Sequence, residues 1–199
     1  MILYTKINKK IILKDWYNLP LYNFIFYRIL QKSDCLILGL LFNQPIDNLP
    51  SSIVNLTFGL CFNQTVNNLP NSIVNLTFGD GFNQPVNNLP NSLINLSFGF
   101  NFNQSVDNLP NSIINLTFGW NFNQSVNNLP NSIVNLTFGI YFNHPVDKLP
   151  NSIINLTFGH CFNKSINKLP INIKIIKFKN KYDLKKIKCD MKNIEILCE

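Results

Sequence analysis

The sequence predicts a repeat solenoid, a parallel β-solenoid built from units of twenty residues. A Phe-Asn pair recurs at that interval from Phe42 to Phe162, and a Leu-Pro step follows each pair, from Pro50 to Pro170. An Asn-Leu-Thr/Ser-Phe-Gly segment then closes each full unit. Self-similarity at a fixed period of this length is typical of proteins whose units stack on their neighbours. We therefore expect one elongated body rather than separate globular domains.

Each unit contains one short strand. Leu56 and Phe58 alternate with Asn55, Thr57 and Gly59, which is the period-two pattern of a strand. Equivalent strands one unit apart cannot be hairpin partners, so they must stack in parallel while the residues between them wrap round as a coil. The apolar residues of one coil are then expected to form its core: Ile53, Leu56, Phe58, Phe62, Val66 and Leu69.

The other recurring residues predict turns and backbone support. The glycine after each strand, from Gly39 to Gly159, indicates either a turn with positive φ or a close approach of two backbones. Asparagines recur at the positions of Asn55, Asn63 and Asn68. Stacked at one repeat spacing, their side chains can bond along the array and to backbone groups that turns leave unpaired. We therefore interpret them as structural rather than as ligand-binding residues.

Three regions are predicted along the chain. Residues 1–35 form an N-terminal cap, in which the apolar segment 21–30 after Pro20 predicts a short helix. Residues 36–178 form the repeat array, and residues 179–199 form a C-terminal capping repeat in which Lys179 replaces the glycine. Lysines on a terminal strand discourage edge-to-edge pairing, so we expect a basic C-terminal cap.

The net charge of +7 is unevenly distributed. It is +4 over residues 1–40 (six basic, two acidic), −3 over residues 41–160 (one basic, four acidic) and +6 over residues 161–199 (ten basic, four acidic). A nucleic-acid binder is expected to carry a basic stripe along its working surface. The array has no such stripe, so we do not expect a nucleic-acid partner.

Location is predicted from what the sequence lacks. We see no secretory signal peptide and no long uncharged apolar window, so neither export nor membrane insertion is expected. The five cysteines include no Cys-x-x-Cys pair and no cluster with histidine at metal-ligand spacing. We therefore predict free thiols, an intracellular and cytoplasmic location, and neither metal nor cofactor. The oligomeric state stays open.

The repeat resembles the FNIP repeat family, which is similar to leucine-rich repeats. The family's Phe-Asn-x-Pro step is present at residues 42–45, 82–85 and 142–145, and the Leu-Pro-x-Ser-Ile/Leu-x-x-Leu-x-Phe-Gly continuation also matches. Other units have Thr or Ser at the proline position, and the units are two residues shorter than the usual family form. The resemblance implies a leucine-rich-repeat-like solenoid and a source among amoebae or the giant viruses that infect them, with the host cytoplasm as the location if the chain is viral.

The same resemblance raises a link to ubiquitin ligases, because some relatives carry an N-terminal F-box that docks a substrate-binding array. Leu19-Pro20, Ile29-Leu30 and Asp34 resemble the start of an F-box. Too few residues follow before the first array strand for a complete three-helix module. We expect at most a remnant.

Candidate functional residues lie in the variable pair after each strand glycine. If the unit curves like a leucine-rich repeat, these pairs lie at the edge of the strand face, where exposed aromatic side chains are strong interface anchors. Variation there is also expected from weak packing constraint alone. The candidates are Leu60, Asp80, Phe100, Trp120, Ile140, Tyr141 and His160.

No catalytic set emerges from the sequence. The two histidines, His144 and His160, lack matched Cys, Ser or carboxylate partners. His144 replaces the glutamine of other units and is able to make a similar hydrogen bond. We therefore predict a non-enzymatic protein–protein interaction scaffold, including the substrate-adaptor form. The alternative is a structural or self-associating repeat protein without a specific client.

Overall fold

The computed structural model describes residues 4–21, 24–179 and 194–198, which form one helix and eleven strands. Each full unit contributes a three- or four-residue strand and a long connection without regular secondary structure. In chain order the elements are β1 (Tyr4–Ile7), β2 (Lys10–Leu13), α1 (Phe24–Leu30), β3 (Cys35–Ile37), β4 (Asn55–Thr57), β5 (Asn75–Thr77), β6 (Asn95–Ser97), β7 (Asn115–Thr117), β8 (Asn135–Thr137), β9 (Asn155–Phe158), β10 (Ile175–Phe178) and β11 (Glu195–Cys198).

The strands form one sheet in chain order, which is the predicted parallel solenoid. Every neighbouring pair from β2 to β11 is parallel, and within the array the register is one whole unit, with Leu56 opposite Leu76 and Leu136 opposite Leu156. Only β1 is antiparallel, joined to β2 by a tight turn in which Asn8 has a φ of 54°. The unit-by-unit register places equivalent side chains of all coils in columns.

The residues predicted to form the core are buried. The distances between phenylalanines of successive coils show how the array bends. Phenylalanines equivalent to Phe58 lie 5.2 to 5.7 Å from one coil to the next. Those equivalent to Phe62, further from the sheet, lie 6.0 to 6.3 Å apart. Paired strands are about 4.8 Å apart. Because coil spacing grows with distance from the sheet, the sheet lies on the concave side of the array.

The strand glycines permit a close approach between successive coils. No glycine in the described ranges has positive φ, so the positive-φ alternative was wrong. A Cβ on Gly119 would lie 1.9 Å from the carbonyl oxygen of Gly99, and one on Gly159 would lie 2.0 Å from that of Gly139. A side chain at this position would therefore push two coils apart.

The N-terminal residues form a partial coil ahead of the first recognisable unit. β2 pairs in parallel with β3, and the ring of Tyr17 stacks on that of Phe42 at 6.4 Å. Asn18 Oδ1 accepts a hydrogen bond from the Asn43 amide at 2.8 Å. Tyr17-Asn18 thus occupies the position of a Phe-Asn pair. The division of the chain at residues 35 and 178 stays a prediction, and the structure adds this coil within the predicted cap.

The two predicted end elements are present. α1 covers most of the segment for which a short helix was predicted. At the other end, β10 pairs with β11, with Ile176 opposite Ile196, so the terminal residues add one more strand. Lys179 is exposed, and its amide donates a hydrogen bond to the Phe158 carbonyl at 3.0 Å. Residues 180–193, which contain most of the predicted C-terminal cap, lie outside the described residues.

The glycine contact predicts a large effect of a single methyl group. Gly119→Ala should lower the free energy of unfolding by about 3 kcal/mol, because the Cβ overlaps backbone that belongs to the sheet edge. The control Thr117→Ala, at an exposed position in the same coil, should cost less than about 1 kcal/mol. Urea unfolding followed by circular dichroism measures both. Equal losses in the two variants would contradict the proposed role of the close approach.

Candidate interaction surface

The concave face of the sheet is covered by two polar rows whose side chains largely serve one another. The asparagines that begin the strands form a ladder in which each Nδ2 donates to the Oδ1 of the preceding coil, for example Asn75 to Asn55 and, at 2.6 Å, Asn155 to Asn135. The threonine row beside it carries no charge between Thr57 and Thr157. This face is therefore uniform and weakly featured.

A second set of asparagines supports the backbone on the far side of the core. Asn83 Oδ1 accepts hydrogen bonds from the backbone amide of Asn103 at 2.9 Å and from Gln104 Nε2 at 3.1 Å. The serines after the Leu-Pro step act similarly, since Ser92 Oγ donates to the Ile73 carbonyl at 2.7 Å. These bonds support the structural interpretation of the recurring polar residues.

The variable pairs form a ridge along the carboxyl edge of the sheet. The amide of the second residue of each pair donates to the carbonyl of the first residue one coil earlier, as Asn121 does to Phe100 and Tyr141 to Trp120, both at 2.9 Å. Repetition of this bond stacks the pairs in two columns. We call the surface formed by the pairs at 40–41, 60–61, 80–81, 100–101, 120–121, 140–141 and 160–161 the edge ridge.

The structure brings four of the predicted residues together in the middle of the edge ridge. Phe100, Trp120 and Ile140 follow one another in the first column, and Tyr141 adjoins Trp120 in the second. The Phe100 and Trp120 rings are 4.9 Å apart, and half of the surface of Trp120 and of Tyr141 is exposed, 50% in each case. We call Phe100, Trp120, Ile140 and Tyr141 the aromatic cluster.

The other three predicted residues lie on the same ridge outside the aromatic cluster. Asp80 adjoins it, and its Oδ1 accepts a hydrogen bond from the Phe100 amide at 3.0 Å. Leu60, 47% exposed, lies one coil further toward the N-terminus, and the exposed His160 lies beyond Ile140. The ridge is therefore one continuous surface with separate regions rather than one compact site.

Family comparison agrees with the repeat seen in the structure. The FNIP Repeat model matches four overlapping segments, residues 42–81, 62–101, 102–141 and 125–161. The chain belongs to the FNIP repeat family. Among curated proteins, none matches its sequence.

A solved structure supports the same fold for most of this FNIP chain. It is the crystal structure of CroV588, from a giant virus, described as a novel circular LRR protein structure. The two chains are 43% identical, with a TM-score of 0.78. The match covers 87% of the FNIP chain and 27% of the length of CroV588. The similarity confirms the leucine-rich-repeat-like solenoid.

Three exposed apolar residues of the FNIP ridge and its continuation were missed from the sequence. Leu40 and Leu41, 49% and 51% exposed, are the variable pair that follows Gly39, ahead of the pairs from which the candidates were taken. Trp16, 47% exposed, precedes Tyr17 as Leu41 precedes Phe42. Its place in the repeat was not recognised because the interval from Tyr17 to Phe42 is five residues longer than one repeat unit.

His144 differs from the expectation for it. The glutamines of earlier units reach back to an asparagine, as Gln124 Nε2 does to Asn103 Oδ1 at 3.2 Å. His144 instead lies beside the Phe142 ring, with centroids 6.4 Å apart. The imidazole is shorter than a glutamine side chain and stays against its own coil.

The described part of the chain contains neither a metal-ligand cluster nor a helix that could span a membrane. There, no three His, Cys, Asp or Glu residues are grouped as metal ligands. No helix among the described residues is long and apolar enough to cross a membrane. Exposed aromatic and aliphatic side chains are instead gathered on the edge ridge.

The backbone-supporting asparagines can be tested separately from the exposed ones. Asn103→Ala removes the acceptor for the Asn123 amide and for Gln124 Nε2, and should lower the free energy of unfolding by about 1 to 3 kcal/mol. Asn111→Ala, at an exposed position in the adjoining turn, should change it by less than about 0.5 kcal/mol. Denaturant unfolding measures the difference, and equal stabilities of the two variants would contradict the structural role.

The described thiols should differ in reactivity. Burial, and to a smaller extent the Asp34 carboxylate, raise the pKa of the Cys35 thiol, and Lys10 only partly opposes them. A raised pKa leaves less thiolate near neutral pH, whereas Cys61 and Cys161 are exposed on the edge ridge. Iodoacetamide at about pH 7.5 should therefore alkylate Cys61 and Cys161 before Cys35, as mapped by peptide mass spectrometry. In denaturant the rates should converge. Equal rates in the folded chain would contradict this assignment.

Proposed function

We propose that this FNIP array is a non-enzymatic protein–protein interaction scaffold that binds its partner through the aromatic cluster of the edge ridge. The observation that carries the proposal is the exposure of Trp120 and Tyr141, 50% each, beside Phe100 and Ile140 on adjacent coils. Large, half-exposed aromatic side chains on a rigid support are the residues that dominate binding energy at protein interfaces.

The rest of the array supports this choice of surface. The asparagine and serine side chains of the other columns are engaged in hydrogen bonds to neighbouring coils, so they offer few free groups to a partner. Residues 41–147 contain no lysine or arginine. Binding at the aromatic cluster is therefore expected to depend on apolar contact more than on charge, and to vary little with salt concentration.

The charge distribution along the chain opposes self-association by end-to-end stacking. End-to-end stacking of solenoids would bring residues 1–40, at net +4, against residues 161–199, at net +6. Like charges at both ends oppose such stacking. The scaffold proposal expects a monomer in solution, whereas the alternative expects oligomers that increase with concentration.

The adaptor role in a ubiquitin ligase is a narrower form of the proposal and rests on the family resemblance alone. An F-box needs three helices. Within residues 4–21 and 24–34, the described chain contains the β1–β2 hairpin and one helix, and β2 together with Tyr17 extends the solenoid.

Free thiols at Cys35, Cys61 and Cys161 support an intracellular, reducing location for the scaffold.

The aromatic cluster can be tested by a double substitution. Trp120→Ala with Tyr141→Ala should weaken partner binding at least about 30-fold, the effect of losing about 2 kcal/mol at an interface centre. The free energy of unfolding should change little, because both side chains are half exposed. The measurement is affinity capture from amoeba lysate with mass spectrometry, followed by titration of the recovered partner.

Ile171→Ala is the matched control, because Ile171 is an apolar residue, 90% exposed, at the opposite edge of the sheet. Proteins captured by the parent chain and by Ile171→Ala, and lost with the double variant, would support the proposal. Capture of the same proteins by all three chains, or of none by the parent, would contradict it.

A further inference from the structure

A second apolar surface lies at the N-terminal end of the solenoid, and Asp80 separates it from the aromatic cluster. On the concave face, Ile12 and Ile37 occupy the row that Thr57 and its equivalents fill in later coils. On the edge ridge beside them, Leu40 and Leu60 are 49% and 47% exposed. At this end of the array, apolar residues thus replace threonine in the concave row and lie beside exposed leucines on the edge ridge.

Between these rows runs a groove of about 370 Å³. Its floor includes Gly39, Gly59 and Gly79, and its walls are formed by the concave row on one side and Leu40 and Leu60 on the other. These positions are glycines because the close approach between coils leaves no room for a side chain. The packing constraint that holds the array together thus also leaves an apolar groove open along it.

The two ends of the groove differ in charge. Asp80 lies at the end nearer the aromatic cluster, where its Oδ1 is bonded to the Phe100 amide, and residues 41–147 contain no basic side chain to neutralise it. Asp15 lies at the other end, but Lys14 adjoins it in sequence and Lys10 lies on the same strand as Ile12. The groove is therefore acidic at the Asp80 end.

The dimensions of the groove determine what it can hold. It extends over four coils, and three steps of about 4.8 Å give a length of about 15 Å, which equals four or five residues of extended chain. A stable dimer buries about 800 Å² on each partner. A groove about 15 Å long provides only a small part of such an area, so a short peptide fits it better than a second copy of this chain.

We propose that this groove binds a short extended peptide segment of a partner protein, with two apolar side chains over Leu40 and Leu60 and a lysine or arginine at Asp80. The alternating side chains of an extended segment allow every second residue to face the groove. The proposal rests on the proposed scaffold function, since it names the chemistry of a partner for the N-terminal half of the edge ridge. The residues that line the groove lie outside the aromatic cluster.

Selection from a random peptide library displayed on phage, against the immobilised full chain, tests this directly. Enriched peptides should contain two apolar residues two positions apart and a basic residue at one end. A synthetic peptide of the enriched sequence should bind the Leu40→Ser/Leu60→Ser variant at least about tenfold more weakly, because two buried leucine contacts are lost. Both leucines are about half exposed, so the variant should fold, which a thermal melt checks.

Asp80→Lys provides the sharper test, because it reverses the charge and leaves the apolar groove in place. Selection on this variant should enrich acidic residues at the position where the parent chain enriches basic ones. Trp120→Ala is the matched control and should bind the synthetic peptide as the parent does, so a failure of the aromatic cluster as a binding site is distinguishable from a failure of the groove.

Four results would overturn the proposal, and the first three concern the enriched motif. They are no enriched motif with the folded parent chain, a motif unaffected by Leu40→Ser/Leu60→Ser, or a motif whose charge is the same with Asp80→Lys as with the parent. Peptides whose binding is lost only with Trp120→Ala would likewise overturn it, and would assign peptide binding to the aromatic cluster.

Discussion

The structure depends on the distance between successive coils at the strand glycines. There the carbonyl oxygen of one coil occupies the space in which the next would carry a Cβ, 1.9 Å from that position for Gly119 and Gly139. The sheet side is therefore held at strand spacing, whereas the phenylalanine columns behind it spread to 6.0 Å and more. Curvature toward the sheet follows from this difference. The edge ridge lies beside these contacts because the variable pair comes directly after each glycine.

Hydrogen bonds from side chains to the backbone of the neighbouring coil explain why the same polar residues recur over so much of the surface. A full coil contains only a three- or four-residue strand, so many of its backbone groups have no ladder partner. Asn63-type side chains accept from one set of these amides and Ser72-type hydroxyls donate to carbonyls, each across one repeat. A substitution in these columns leaves a partner unpaired in the neighbouring coil. The most variable positions are consequently ones whose backbone already bonds to backbone, as in the edge ridge.

Much of the fold could be predicted from the sequence, because strict repetition at a constant interval permits only parallel stacking in register. The core set around Leu56, Phe58 and Phe62 followed from alternation alone. The role of the glycines could not be decided, since a turn with positive φ and a close approach both select glycine. The extra coil at the N-terminus was missed because Lys14 stands where the glycine is expected and α1 lengthens the connection. Exposure along the ridge depends on the curvature, which a single unit does not reveal.

The edge ridge carries several large, exposed apolar side chains. At these positions the backbone ladder is made whatever the side chain is, and the other turns carry mostly polar residues. Trp120, Tyr141, Leu40 and Leu60 are instead large, apolar and about half exposed. Exposed apolar groups gathered on one surface carry a risk of aggregation unless a partner covers them. Asp80 divides them into two regions, the aromatic cluster on one side and the aliphatic groove on the other. A scaffold whose coils are otherwise near copies can thus present two different chemistries along one edge.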